Sequence, residues 1–140
     1  MARRWQNQRR NTMKISIGRC LMAIALLHTV YAPWKYGGPL LDIAGRGFYN
    51  SIAGDPQRAA ATWFVLFGAG LFMLGLTVAA LEKQHATQAL KPIGWALLVL
   101  GCVGVVLMPA SGFWLVFPPA AVLLLRKARP AKTSDRSGLA

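Results

Sequence analysis

The titratable side chain in the most unusual setting is His28, inside the apolar stretch "MAIALLHTVYAPW" from Met22 to Trp34. The chain has 2 histidines, and the other, His85, lies between apolar runs. An imidazole with its ordinary pKa of about 6.5 can act as acid or base near neutrality. It can also ligate a metal, or hydrogen-bond a neighbouring helix as structural glue. Ionisable groups within apolar segments face other protein groups and mark candidate sites. Thr29 adds a hydroxyl next to the ring.

Each chemistry needs companions. Counted along a helix from Ile15, His28 is about 20 Å up the run, in the outer half of a bilayer. Met108 is the one other soft donor expected at that depth, since Cys20 lies at the inner end and Cys102 mid-run. No metal site and no cofactor are therefore expected. Hydrolysis lacks its parts: the sequence has no G-x-S-x-G, no HExxH and no aspartate near His28 to orient the ring. Proton-coupled export needs an intramembrane carboxylate. The 4 acidic residues, Asp42, Asp55, Glu82 and Asp135, all fall outside the apolar runs.

The residues expected around His28 come from four apolar runs, about 15–32, 60–81, 90–108 and 111–125. Tyr31 closes the first, and Trp63, Phe64 and Phe67 open the second. Met108 ends the third, and Ser111, Phe113 and Trp114 open the fourth. Together with His28 and Thr29 they form the candidate ligand-binding pocket, suited to a hydrophobic molecule. Trp and Tyr are also enriched at membrane interfaces, which offers a plainer reason for them.

Hydrophobic residues make up 55% of the chain and charged residues only 14%, against about a quarter in soluble domains. A run of about 20 apolar residues crosses a bilayer. The net charge of +12 could address nucleic acid, but the basic residues flank the apolar runs and accompany no nucleic-acid motif. With both termini in the cytoplasm, thirteen Lys and Arg lie inside and three (Lys35, Arg46, Arg58) outside, as the positive-inside rule requires. The basic n-region and apolar core of the first run also resemble a signal peptide, but "VYA" before Pro33 is a poor cleavage site.

Residues 1–14 read as a basic cytoplasmic arm, 15–125 as the membrane domain, and 126–140 as a basic disordered tail. Gly37, Gly38 and Pro39 mark a turn. The spacing of Leu40, Leu41, Ile43, Ala44, Phe48 and Ile52 then predicts a short amphipathic helix on the outer surface between spans 1 and 2. Asp55-Pro56 opens the second span, with Asp55 as its cap. Pro118-Pro119 predicts either a fourth helix kinked at the pair or an irregular stretch from Phe113 to Phe117 followed by regular helix. Gly68, Gly70, Gly75, Gly94, Gly101 and Gly104 are expected to let helices approach closely, within the bundle or at a homo-oligomer face. Cys20 and Cys102 read as small buried apolar side chains.

Several segments look alike to a known group. "LLHTVYAPW", "ATWFVLFGAGLFMLGL" and "GWALLVLGCVGVVLMPASGFWLVFPPA" together resemble a family of small bacterial integral membrane proteins of unassigned function. Its marks are a His-Thr pair in the first span (His28-Thr29), a Trp-Phe pair opening the second (Trp63-Phe64), and Met-Pro-x-Ser-Gly-Phe-Trp (Met108 to Trp114) before a proline pair. The similarity covers roughly Ile15 to Leu125. It implies a four-span bundle and supplies no activity, substrate or cofactor.

The expectation is an all-α, four-helix transmembrane bundle in the bacterial inner membrane. Its foremost role is a non-enzymatic module binding a lipophilic molecule or a membrane protein partner near His28. The alternative is a membrane enzyme on a lipophilic substrate with His28 as acid or base. A small dimeric transporter ranks last.

Overall fold

The computed structural model describes residues 16–126. The basic arm and most of the basic tail lie outside the described residues. Those that are described form four α-helices and one short 3-10 segment. Three helices are long and apolar enough to cross a membrane.

Helix α1 spans Ile17–Gly45. Ser16 starts it, its hydroxyl accepting from the Arg19 amide. The backbone leaves helical geometry at Tyr36 (φ −125°, ψ 24°), one residue ahead of the expected turn at Gly37-Gly38-Pro39, and a second, short helical segment follows to Gly45, so that α1 is two helices joined across a kink. The bend has a local cause. Pro39 lacks the amide that would bond the Lys35 carbonyl, and its ring crowds that carbonyl. Gly37 and Gly38, without side chains, let the backbone absorb the deflection. Phe48 and Ile52, expected on the surface helix, lie in the connection beyond it. That connection turns through positive φ at Gly47, Phe48, Asn50 and Gly54.

Helix α2 spans Pro56–Lys83. Asp55 caps it as expected, accepting from the amides of Gln57 (2.8 Å) and Arg58 (3.1 Å). His85 follows its end in a left-handed conformation. Helix α3 spans Thr87–Leu107. The 3-10 segment Gly112–Val116 leads into α4, Phe117–Leu125.

The fourth run therefore follows the second of its two readings. Pro118 and Pro119 sit in the first turn of α4, where a proline costs no helical hydrogen bond. The residues ahead of them form the tighter 3-10 coil. With 9 residues, α4 is about 14 Å long, well short of a hydrocarbon core of about 30 Å.

Helix α1 packs along α2, and α3 packs along the 3-10 segment and α4. Glycines set both contacts. A Cβ at Gly18 would meet the Ala79 amide and the Gly75 carbonyl, the latter at 2.5 Å. One at Gly75 would sit 2.9 Å from the Gly18 carbonyl. On α3, Gly104 accommodates the Phe113 ring, Gly101 the Phe117 ring and Gly94 Leu123. Gly70, expected among these, has open space around it. A core of Leu21, Leu71, Val78, Leu90, Leu97, Val116 and Leu123 joins the two halves. Cys102 is exposed and Cys20 half-buried, so neither is the buried apolar group expected.

Candidate functional site

Position 28 on α1 faces position 64 on α2 because the Gly18–Gly75 contact below it fixes the register of the two helices. The Nε2–H of His28 donates to the Phe64 carbonyl at 3.0 Å. The imidazole also stacks on the Phe64 ring, with centroids 3.8 Å apart and planes 16° apart. Phe67, one turn further along α2, lies at 5.5 Å. Gly68 makes room for this arrangement. A Cβ there would meet Thr29 Oγ1 at 2.6 Å and His28 Cδ2 at 3.1 Å.

The aromatic cluster spreads outward from Phe64. Tyr31 lies 6.3 Å from its ring and Tyr36 5.2 Å. Trp34 meets Tyr31 edge-on. Phe67 reaches across to Phe113 of the 3-10 segment at 6.1 Å. His28 is half-buried, whereas Trp34 is 81% exposed and Trp63 71%. The cluster is thus closed on the α1–α2 side and open on its aromatic side.

The structure gathers His28, Tyr31, Phe64, Phe67 and Phe113. It does not bring in the other expected residues. Thr29 donates its hydroxyl to the Ala25 carbonyl at 2.9 Å, within its own helix. Trp63 makes no ring contact among the described residues. Met108 is exposed. Ser111 caps the 3-10 segment through the Phe113 amide, and Trp114 Nε1 donates to the Pro109 carbonyl. Tyr36 belongs to the cluster and was not expected there. It lies beyond the first apolar run of 15–32, and as the kink residue of α1 it is placed 5.2 Å from Phe64.

Two polar clusters stand at opposite ends of α2. Glu82 accepts from the Ser16 hydroxyl (2.6 Å) and from the amides of Ile17 (3.0 Å) and Gly18 (3.2 Å). Arg126 Nη2 completes it at 2.6 Å. One carboxylate, 10% exposed, thus caps α1 and holds the residue that follows α4. At the other end Arg58, 12% exposed, lies between Asp42 (2.6 Å) and Asp55 (3.5 Å). Arg46 joins Asp42 at 3.0 Å. The Asp55 carboxyl is held below its ordinary value of 3.8, chiefly by the Arg58 amide, with partial desolvation opposing.

These carboxylates are committed to the two ends, and among the described residues none bonds to His28. Nor do the described residues contain a group of three or more His, Cys, Asp or Glu that could hold a metal ion.

Over residues 12–130 the chain matches a family of unknown function, DUF6463, and it belongs to that family. The match extends slightly beyond the 15–125 stretch carried by the sequence motifs. No curated protein and no solved structure matches the chain.

Proposed function

We propose that this chain is a membrane-embedded, non-enzymatic module that binds a lipophilic molecule at the aromatic cluster around His28. The observation that carries the reading is the form of that cluster. One polar ring is fixed by a hydrogen bond to Phe64 and a stack on it, while the rings around it remain open to a partner. Binding sites of this kind pair an apolar lining with few, well-placed polar groups.

The same geometry favours binding over the enzyme alternative. Acid–base catalysis by an imidazole works with an orienting carboxylate or a nucleophile in reach, and among the described residues no carboxylate bonds to His28 and the adjacent Thr29 hydroxyl is bonded to Ala25. The setting we assign is the bacterial inner membrane, crossed by the three long helices and, as a short fourth span, by the 3-10 segment and α4 together, with both termini in the cytoplasm. Support for the shared side comes from Glu82, which holds Ser16 and Arg126, the two ends of the described chain, at one end of the molecule. The three long apolar helices support the membrane. Thirteen of the 16 Lys and Arg on the assigned inner side support the orientation.

The test compares wild type with His28→Ala, each solubilised in detergent. Thermal unfolding is followed alongside mass spectrometry of co-purified small molecules. The reading expects a lipophilic molecule with the wild type and its loss from a variant that still folds. A variant that unfolds several degrees lower while neither preparation carries a molecule would make His28 structural glue only.

A further inference from the structure

The cluster has two chemically distinct edges on its one polar ring. A carbonyl oxygen can only accept, so the 3.0 Å contact with Phe64 places the ring proton on Nε2. In the neutral imidazole Nδ1 is then an acceptor with a bare lone pair. The ring's orientation also follows. Nε2 meets the Phe64 carbonyl, and Cδ2 lies against Gly68. Both of these atoms face α2. The opposite edge, Nδ1 and Cε1, is turned away from α2. Among the described residues no donor is bonded to Nδ1. The nearest hydroxyl in the sequence, on Thr29, is spent on Ala25.

We infer that the molecule bound at this cluster carries a hydroxyl, or an equivalent O–H donor, at the polar end of a hydrophobic body, and that this hydroxyl donates to Nδ1 of His28. The inference rests on the binding reading above and narrows it to a class of ligand: a long-chain, isoprenoid or ring alcohol. A pure hydrocarbon, an ether or an ester would leave the acceptor unpaired in apolar surroundings. Covering a bare acceptor with a molecule that offers it no donor is costly, so such molecules bind more weakly. The aromatic rings of Phe64, Phe67, Tyr31 and Trp34 supply the apolar wall. They accept flat or extended hydrophobic bodies without dictating the rest of the ligand.

The test uses a matched pair, 1-dodecanol and methyl dodecyl ether, titrated into wild-type protein in phosphatidylcholine nanodiscs. The histidine rings carry ¹⁵N, and His85→Gln protein identifies the His28 signals. The alcohol is expected to bind about tenfold more tightly than the ether, the worth of one hydrogen bond in such a site. It should shift the Nδ1 signal of His28 and leave the Nε2–H signal in place. In His28→Phe the preference should vanish. Equal binding of alcohol and ether to the wild type would overturn the inference and leave a lipophilic site without a donor requirement. A shift at Nε2 instead of Nδ1 would overturn it too. If neither probe binds, the binding reading falls with it. The wild-type comparison decides among these outcomes even if His28→Phe fails to fold.

Discussion

Gly68 and Gly70 stand two residues apart on α2 in opposite surroundings. Gly68 lies under Thr29 and His28, so Gly68→Ala must push the Thr29 hydroxyl, the imidazole or the helix itself. Overpacking of this kind costs about 1–3 kcal/mol, and it displaces the ring at the candidate site as well. Gly70 has nothing within 4 Å. Gly70→Ala should be neutral or stabilise by up to about 1 kcal/mol through helix propensity. Chemical unfolding of the two variants in the same detergent reads the difference, and its sign is the prediction. In the sequence the two glycines look alike. Composition marks α2 as glycine-rich, but which glycine meets α1 depends on the helix register, and that is set by Gly18 against Gly75. His28 was legible as the one histidine within an apolar run. Its partner was not, because a backbone carbonyl leaves no trace in residue type.

At the scale of elements, α2 and α3 were readable from apolar length, and the start of α2 from Asp55-Pro56. The Asp55 cap also predicts a pH dependence. Its carboxyl is held below 3.8 in the folded chain, chiefly by the Arg58 amide, so folding favours the charged form. That contribution is present above the ordinary carboxylate value and is lost as pH falls through the lower folded value. Asn also caps helices but does not titrate. Asp55→Asn should therefore resemble wild type at pH 7 and lose less stability than wild type below about pH 4. Parallel unfolding curves at pH 7 and pH 3 test this, and an identical acid loss in both proteins would contradict it.

Two elements were not legible in the sequence. Gly37-Gly38-Pro39 carries the local signature of a turn, and the backbone does break at Tyr36 beside it, but helix resumes at once instead of after a loop. The fourth run was read as a kinked helix or as a late-starting one. The choice rests on where Phe113 and Phe117 must sit to fill the notches at Gly104 and Gly101, a tertiary demand that overrides local pattern.

At the scale of the whole molecule, Glu82 is the most consequential residue whose role the sequence did not show, since it reads there only as a carboxylate outside the apolar runs. Nothing near position 82 signals that it meets residues 64 to 66 positions away. Removing it leaves the Ser16 hydroxyl, two helix amides and Arg126 without their acceptor. Glu82→Ala should cost about 2–3 kcal/mol, and Arg126→Ala distinctly less, since the α1 cap survives. Urea unfolding of the two variants checks that order, and equal losses would mean that the ion pair, not the cap, matters most. The described carboxylates serve the two ends of α2, and Thr29 and Thr77 bond within their own helices, which leaves His28 and the rings around it as the place where we expect a partner molecule to be recognised.

The most direct test of that claim is photo-crosslinking with a diazirine-bearing long-chain alcohol in nanodiscs, followed by peptide mapping. The account predicts labelling concentrated on Tyr31, Phe64 and Phe67 and suppressed by excess unlabelled alcohol. Even labelling along the exposed apolar faces, with Met73, Val99 and Val106 marked as strongly and no competition, would contradict it.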